Sequence, residues 1–134
     1  MYVLTKTRHC DVWNKNGKYH RIKGPTILYC NGNLEWFFEG LLHREGNLPA
    51  VSFNGRQDFF LNGQKYLLQE NGTKEFIDSA GVLHRDYGLQ AVEYANGDKE
   101  WWWHGVRHRE DGPAVIYGNR QFWFFNGEFI KCIL

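Results

Sequence analysis

The sequence predicts an all-β protein, built as an elongated antiparallel meander of about five β-hairpin repeats in an open sheet or solenoid. Seven Asn-Gly dipeptides divide the chain, and Asn-Gly is the strongest short-range signal for a type I′ hairpin turn because both residues tolerate positive φ. The segments between these turns are rich in β-branched and aromatic residues. No segment has the i, i+3, i+4, i+7 apolar spacing of an amphipathic helix. We therefore expect at least ~40% strand and no more than one or two helical turns.

A repeated His-Arg pair indicates how the hairpins are organised. The intervals between successive pairs are 23, 41 and 24 residues, and the pairs lie at residues 20–21, 43–44, 84–85 and 108–109. Because the middle interval is close to two periods, we expect a degenerate repeat inside it, with Lys65 and Tyr66 in place of the pair.

In chain order, the prediction is a single domain over residues 1–134 in which each repeat is one hairpin. Each repeat reads as a His-Arg pair, a Gly with Pro or a small residue, a β-branched strand, a Gly turn and an aromatic strand. The predicted segments are an irregular N-terminal cap 1–18, repeats at about 19–41, 42–64, 65–82, 83–106 and 107–130, and a tail 131–134.

The repeated residues are predicted to be structural. A residue at one register of every repeat performs the same local task each time, and His and Arg can donate hydrogen bonds to carbonyl groups left open at hairpin ends. We expect Gly112 to supply a backbone conformation that other residues avoid, and Pro113 to begin a strand. Alternatively, the arginines pair with the nearby acids Glu45, Asp86, Glu110 and Asp111. The full structural set is His20, Arg21, His43, Arg44, His84, Arg85, His108, Arg109, Gly112 and Pro113.

Composition argues against several classes of function. The chain has 16 Lys and Arg against 15 Asp and Glu, so it lacks the basic excess of a strong nucleic-acid binder. Three cysteines without a Cys-x-x-Cys pair fit a reducing compartment, and the N-terminus lacks the apolar segment of a signal peptide. We therefore expect a cytoplasmic protein, located in the host cytoplasm if it is viral.

No catalytic residue, metal site or cofactor is predicted. Ser52 and Ser79 are the only serines, and neither lies in a Gly-x-Ser-x-Gly elbow. The Gly-rich phosphate-binding motifs are absent as well. Histidines at equivalent positions of successive hairpins would stand roughly 9–10 Å apart, too far for nitrogens that must lie ~2.0–2.1 Å from one zinc ion. The expected protein is not an enzyme.

Aromatic strands supply the candidate partner-binding residues. Successive strand residues point to opposite faces, so the run from Trp101 to Trp103 is apolar on both faces. One alternative is that both faces are covered. The other is an exposed aromatic stripe, which on a protein surface marks an interface. In that case the middle residues of the four aromatic strands bind the partner: Phe37, Phe60, Trp102 and Phe124.

The segment from Arg107 to Val115, Arg-His-Arg-Glu-Asp-Gly-Pro-Ala-Val, resembles the MORN-type hairpin repeats. It is most similar to the His-Arg-Glu-Asp-Gly-Pro-Ala variant common in tailed-phage and giant-virus proteins, and the resemblance spans roughly residues 17 to 130. The chain differs from the MORN pattern in having His-Arg where His-Gly is usual. The resemblance implies an array of hairpins that scaffolds proteins, dimerises or contacts membranes, and it implies no catalytic residues.

The expected function is that of a non-enzymatic protein-binding module from a phage or mobile element. It would bind one host or phage protein and block it sterically, as an inhibitor of a host defence system of the anti-CRISPR type. The alternative is a self-associating scaffold, a homodimer through a sheet edge or the aromatic face, because open arrays leave edge strands unpaired. Binding to a membrane surface is disfavoured by the balanced charge.

Overall fold

The computed structural model describes all 134 residues and contains no helix. Strands and bridges make up 48% of the chain, which confirms the predicted all-β, antiparallel, open meander. The chain divides into two compact units, residues 1–65 and 66–134. The chain thus has no apolar helix that could span a membrane.

Unit 1 is an antiparallel sheet with a separate two-stranded ribbon. Its strands are β1 (Tyr2–Lys6), β2 (Cys10–Lys15), β3 (Lys18–Tyr19), β4 (Ile27–Tyr29), β5 (Leu34–Glu35), β6 (Phe37–Phe38), β7 (Leu41–Leu42), β8 (Val51–Phe53) and β9 (Arg56–Leu61). The order in the sheet is β1-β2-β4-β5-β8-β9, and β3 pairs with β2. Strands β6 and β7 form the ribbon.

Unit 2 repeats this plan. Its strands are β10 (Gln64–Leu68, whose first two residues close unit 1), β11 (Lys74–Phe76), β12 (Val92–Glu93), β13 (Lys99–Glu100), β14 (Trp102–Trp103), β15 (Val106–Arg107), β16 (Val115–Tyr117), β17 (Arg120–Phe125) and β18 (Glu128–Ile133). The order in the sheet is β10-β11-β12-β13-β16-β17-β18, and β14 and β15 form the ribbon. Neighbouring strands pair antiparallel, for example with Val115 opposite Phe122.

Asn-Gly supplies two kinds of turn rather than one. Four pairs form the predicted type I′ turns, with positive φ at both residues: those beginning at Asn16, Asn54, Asn62 and Asn126. In the other three only the glycine has positive φ, contrary to the prediction: those beginning at Asn31, Asn71 and Asn96. In these three the asparagine Oδ1 accepts a hydrogen bond from the backbone N–H two residues later, and a type I turn followed by a left-handed glycine closes the hairpin.

Two of the aromatic runs are interrupted by a bend. Strand β13 ends at Glu100 and β14 begins at Trp102, so Trp101 lies in neither strand. Its N–H donates to Ala114 at 2.7 Å, and its carbonyl accepts from His108 at 3.1 Å. Trp36 occupies the same place in unit 1. Strict alternation of faces therefore does not hold along these two runs, because the chain leaves the main sheet and enters the ribbon.

Each His-Arg pair begins a loop, here called a His-Arg loop, that ends at a core residue directly before the next strand of the sheet. The residue that closes the loop is completely buried in all four cases, and it is Thr26, Ala50, Ala91 or Ala114. Larger core side chains follow it, such as Ile27 in unit 1 and Val115 in unit 2. The loops are thus anchored at the end where the next sheet strand begins.

Candidate functional site

The arginine of each His-Arg pair is held in the same way four times. Its Nη1 donates to the carbonyl of the residue just before the loop-closing position, at 3.1 Å in every case, and the acceptors are Pro25, Pro49, Gln90 and Pro113. Its guanidinium also lies over an aromatic ring of the preceding hairpin, at 3.8–4.7 Å from the ring centroid; the pairs are Arg21 over Trp13, Arg44 over Trp36, Arg85 over Phe76 and Arg109 over Trp101. Donation to an open carbonyl, one of the two predicted roles, describes these arginines.

The histidine performs a different task from the one predicted. Its Nδ1 accepts a hydrogen bond from a backbone N–H of the following type I′ turn, so each imidazole ties its loop to the next hairpin. The pairs are His20 with Glu39, His43 with Asn62, His84 with His104 and His108 with Asn126, at 2.9, 2.9, 3.0 and 2.9 Å. The residue that donates has positive φ in all four cases. A nitrogen that accepts from N–H carries no proton, so the remaining proton of the neutral ring is on Nε2.

The nearby acids pair mainly with histidine rather than arginine. Glu45 and Asp86 accept from the Nε2 of His43 and His84 at 2.9 and 2.7 Å. Glu110 lies farther from His108, at 3.7 Å. Asp111 is the one acid of the predicted set that contacts a repeated arginine, at 3.2 Å from the Nε of Arg109.

His20 is the exception in this series. It has Ile22 where the other three loops have an acid, and its Nε2 is buried without a hydrogen-bond partner.

Gly112 is required because the Arg109 guanidinium lies close to it, and not because of its backbone conformation. Its φ lies outside the positive range, whereas a Cβ at this position would stand 2.9 Å from the Cζ of Arg109. Gly24 has the same relation to Arg21, also at 2.9 Å. The reason predicted for Gly112 is therefore wrong. Gly24 and Gly112 leave the space that the guanidinium groups of Arg21 and Arg109 occupy. Pro113 lies two residues before strand β16 and supplies the carbonyl that Arg109 binds.

A groove lies between the two His-Arg loops of each unit. In unit 2 it has a volume of about 680 Å³, and we call it the Trp101 groove; its lining includes Tyr87, Trp101, Trp103, Glu110, Asp111 and Phe125. In unit 1 the corresponding Trp36 groove measures about 560 Å³, and its lining includes Ile22, Trp36, Phe38, Arg44, Glu45 and Leu48. Both grooves have the same construction, because each is bounded by two successive loops that stacked arginines hold in place.

The predicted partner-binding residues Phe37, Phe60, Trp102 and Phe124 are all half-buried. Their backbone carbonyls accept hydrogen bonds from the N–H groups of the four repeated arginines, at 3.1–3.4 Å. In three of the four aromatic runs the last residue is the more exposed one: Phe38, Trp103 and Phe125 expose 40%, 46% and 46% of their surface. Of these seven residues, Trp102, Trp103 and Phe125 line the Trp101 groove and Phe38 lines the Trp36 groove.

Glu100, a buried carboxylate that the sequence analysis did not single out, accepts a hydrogen bond from Trp102 in the lining of the Trp101 groove. Glu100 accepts hydrogen bonds from the hydroxyls of Tyr94 and Tyr117 at 2.5 and 2.6 Å and from the indole N–H of Trp102 at 2.8 Å, and it lies 3.7 Å from Arg107. Burial alone raises the pKa of the Glu100 carboxyl, but these donors and the charge of Arg107 outweigh it and hold that pKa below its ordinary value.

A repeated signal could have identified this carboxylate. An acid precedes the aromatic residue in three hairpins, and a residue six positions earlier donates to it: Tyr29 to Glu35, Gln69 to Glu75 and Tyr94 to Glu100. The same contact raises the pKa of Tyr29 to about 12.

The repeated histidines do not converge on one point. No group of three or more His, Cys, Asp or Glu side chains is close enough together to hold a metal ion. The thiols of Cys10, Cys30 and Cys132 are free.

Comparisons of the chain with protein-family models, curated proteins and solved structures gave no match. The similarity to MORN-type repeats therefore depends on the motif residues alone and remains a prediction. The repeated contacts of arginine and histidine are features of the structure itself and do not depend on that similarity.

Proposed function

We propose that this protein is a non-enzymatic protein-binding module that holds a segment of its partner in the grooves between successive His-Arg loops. The observation that carries the proposal is that both units form a groove of the same construction, with a tryptophan at its base and an exposed aromatic side chain at its wall. Aromatic residues are enriched at the centres of protein interfaces, where they contribute most of the binding energy.

The construction of the loops favours binding because it limits their mobility. Each loop is fixed at three points: the arginine stacks on a ring, the histidine accepts from the next turn, and the closing residue is buried. A surface that is ordered before binding loses less conformational entropy when the partner arrives. The His-Arg pairs thus contribute to binding by holding the groove walls apart.

The similarity to phage and giant-virus repeats supports a partner from an infected host. On this proposal the protein blocks one host protein, such as a component of a defence complex, by occupying its surface. The identity of the partner remains a prediction, and the two grooves are present whichever protein binds.

The experiment is to place a photo-crosslinking amino acid at position 89, which is 41% exposed and lines the Trp101 groove, to identify the captured protein, and then to measure its affinity for purified variants. Trp103→Ala and Phe38→Ala remove one groove wall each. Leu67→Ala and Leu28→Ala serve as controls, because these leucines are similarly exposed and line neither groove. We expect at least one groove variant to weaken binding roughly 30-fold or more, as truncation of a hot-spot residue does. Equal affinity of all four variants would refute the proposal.

Self-association is a second candidate function, and strand β18 favours it. All six residues of this strand are exposed, among them Phe129, Ile130 and Ile133, and it pairs only with β17. A long apolar edge strand can pair with another chain. If the protein self-associates in this way, light scattering across a dilution series should show a concentration-dependent mass that Ile130→Lys abolishes. A constant monomer mass would exclude this candidate.

A further inference from the structure

We propose that the Trp101 groove recognises a cationic side chain, a lysine or arginine carried by the bound segment of the partner protein. This inference depends on the proposed function, because it specifies which chemistry the groove of unit 2 selects.

The positive charges of the groove are already engaged within the protein. Arg85 is 10% exposed and donates to the carboxylate of Glu93 at 2.9 Å and to the carbonyl of Gln90. Arg109 lies over Trp101 and pairs with Asp111 at 3.2 Å. Neither guanidinium is available as the main contact for an anionic ligand.

One carboxylate of the groove has no cationic partner. Glu110 is 81% exposed, and its neighbour at 3.7 Å is the imidazole of His108. The Nδ1 of that imidazole accepts the N–H of Asn126, so this nitrogen is engaged within the protein as an acceptor. The accessible charge at the groove is therefore negative, and it complements a cation.

The aromatic walls favour the same ligand. Tyr87, Trp103 and Phe125 line the groove and expose 87%, 46% and 46% of their surface. The face of an aromatic ring attracts a lysine ammonium or an arginine guanidinium, and tryptophan does so most strongly. Arg109 stacked on Trp101 and Arg107 over Trp102 show this contact being made within the same region by the protein's own arginines.

The Trp36 groove provides an internal comparison. It has the same base and loops, but its exposed apolar residues are Ile22, Leu48 and a single aromatic, Phe38. Its acid, Glu45, lies 2.9 Å from the Nε2 of His43 and so accepts a hydrogen bond that Glu110 does not have. We expect this groove to favour an aliphatic side chain over a cationic one.

The test uses the full chain and three capped pentapeptides of glycine with a central lysine, norleucine or glutamate. The indole N–H resonances of Trp103 and Trp36 report on the two grooves in a nitrogen–proton correlation spectrum. The lysine peptide should bind the Trp101 groove roughly 3- to 30-fold more tightly than the norleucine peptide, as measured by the shift of the Trp103 indole resonance. This ratio corresponds to the summed free energies of a cation–π contact and an exposed ion pair. Glu110→Gln should lower the lysine affinity about two- to fivefold and leave the norleucine affinity unchanged, and added salt should have the same effect.

Each other result has a definite meaning. If norleucine shifts Trp103 as strongly as lysine does, or if glutamate binds most tightly, the inference about cations is wrong while the groove remains a binding site. If no peptide shifts either indole up to its solubility limit, both this inference and the proposed function fail. If Glu110→Gln has no effect but lysine is still preferred, the assignment of the carboxylate is overturned.

Discussion

Replacing Gly112 with alanine tests how the His-Arg loops are held. An ideal Cβ at this position would lie 2.9 Å from the Cζ of Arg109 and 3.1 Å from both its Nε and its Nη1, closer than side chains normally pack. The arginine must therefore move. It would lose its hydrogen bond to Pro113 and its position 3.8 Å above the ring of Trp101.

The size of the effect follows from these two contacts. A hydrogen bond that involves a charged group contributes ~1.5–3 kcal/mol, and a partly exposed cation–π contact contributes about 0.5–1 kcal/mol. Because Gly112 does not have positive φ, alanine should also restrict the unfolded chain and return about 0.4–1 kcal/mol. We expect Gly112→Ala to lower the free energy of unfolding by about 1–3.5 kcal/mol, measured by urea denaturation.

A double-mutant cycle separates this explanation from a conformational one. Once Arg109 has been replaced by alanine there is nothing for the new Cβ to displace, so adding Gly112→Ala should be neutral or slightly stabilising. Gly24→Ala should be coupled to Arg21→Ala in the same way, because its Cβ would also stand 2.9 Å from the guanidinium carbon. If Gly112→Ala costs as much without Arg109 as with it, the close-approach argument is refuted.

Three further outcomes are expected. Trp102→Ala should lower the free energy of unfolding by about 2–3 kcal/mol, less than for a fully buried tryptophan, because the indole is half-buried and donates to Glu100; an unchanged urea midpoint would mean that this side chain is not part of the core. Tyr117→Phe removes a donor to Glu100 and should raise the pKa of that carboxyl. The folded-state pKa lies below the ordinary value of 4.5, so the ionised carboxylate stabilises the fold above that pH and loses its contribution as the pH falls through the lowered pKa. The variant should lose about 1–3 kcal/mol at neutral pH and unfold at a higher pH on acid titration, whereas an unshifted acid midpoint would contradict the assignment. His108→Leu should accelerate hydrogen exchange of the Asn126 backbone amide by removing its acceptor. His108→Asn should keep that amide protected, because the Oδ1 of asparagine is attached to Cγ as the Nδ1 of histidine is. Equal exchange in both variants would disprove the role of the imidazole.

Much of the fold could be predicted from residue types alone. Asn-Gly pairs and β-branched runs predict hairpins, since few other residues tolerate the left-handed conformation at a tight turn. The kind of turn could not be predicted in the same way. Asn62-Gly63 and Asn71-Gly72 are identical dipeptides, yet only the first has positive φ at both residues. The type of turn depends on how many residues separate the two paired strands. That number depends on how all the strands of the sheet pair, which the dipeptide does not encode.

The candidate site was predicted in part. The spacing of the His-Arg pairs predicts a structural role, but imidazole can donate or accept, and only the position of the neighbouring turn decides that Nδ1 accepts. Strict alternation along a strand predicts that the middle aromatic residues bind the partner. The bend at Trp101 interrupts that alternation, and Trp103 becomes the exposed wall of the groove instead.

The sequence by itself thus determined the hairpins, the repeat and the residues that recur in it, because local backbone preferences and spacing are encoded residue by residue. Only the tertiary structure decided how the recurring residues are used. The hydrogen bond from Asn126 to His108, the hydrogen bond from Tyr117 to Glu100 and the groove between two loops all join residues from different hairpins. Contacts of this kind depend on where whole strands lie in three dimensions, which no local pattern specifies.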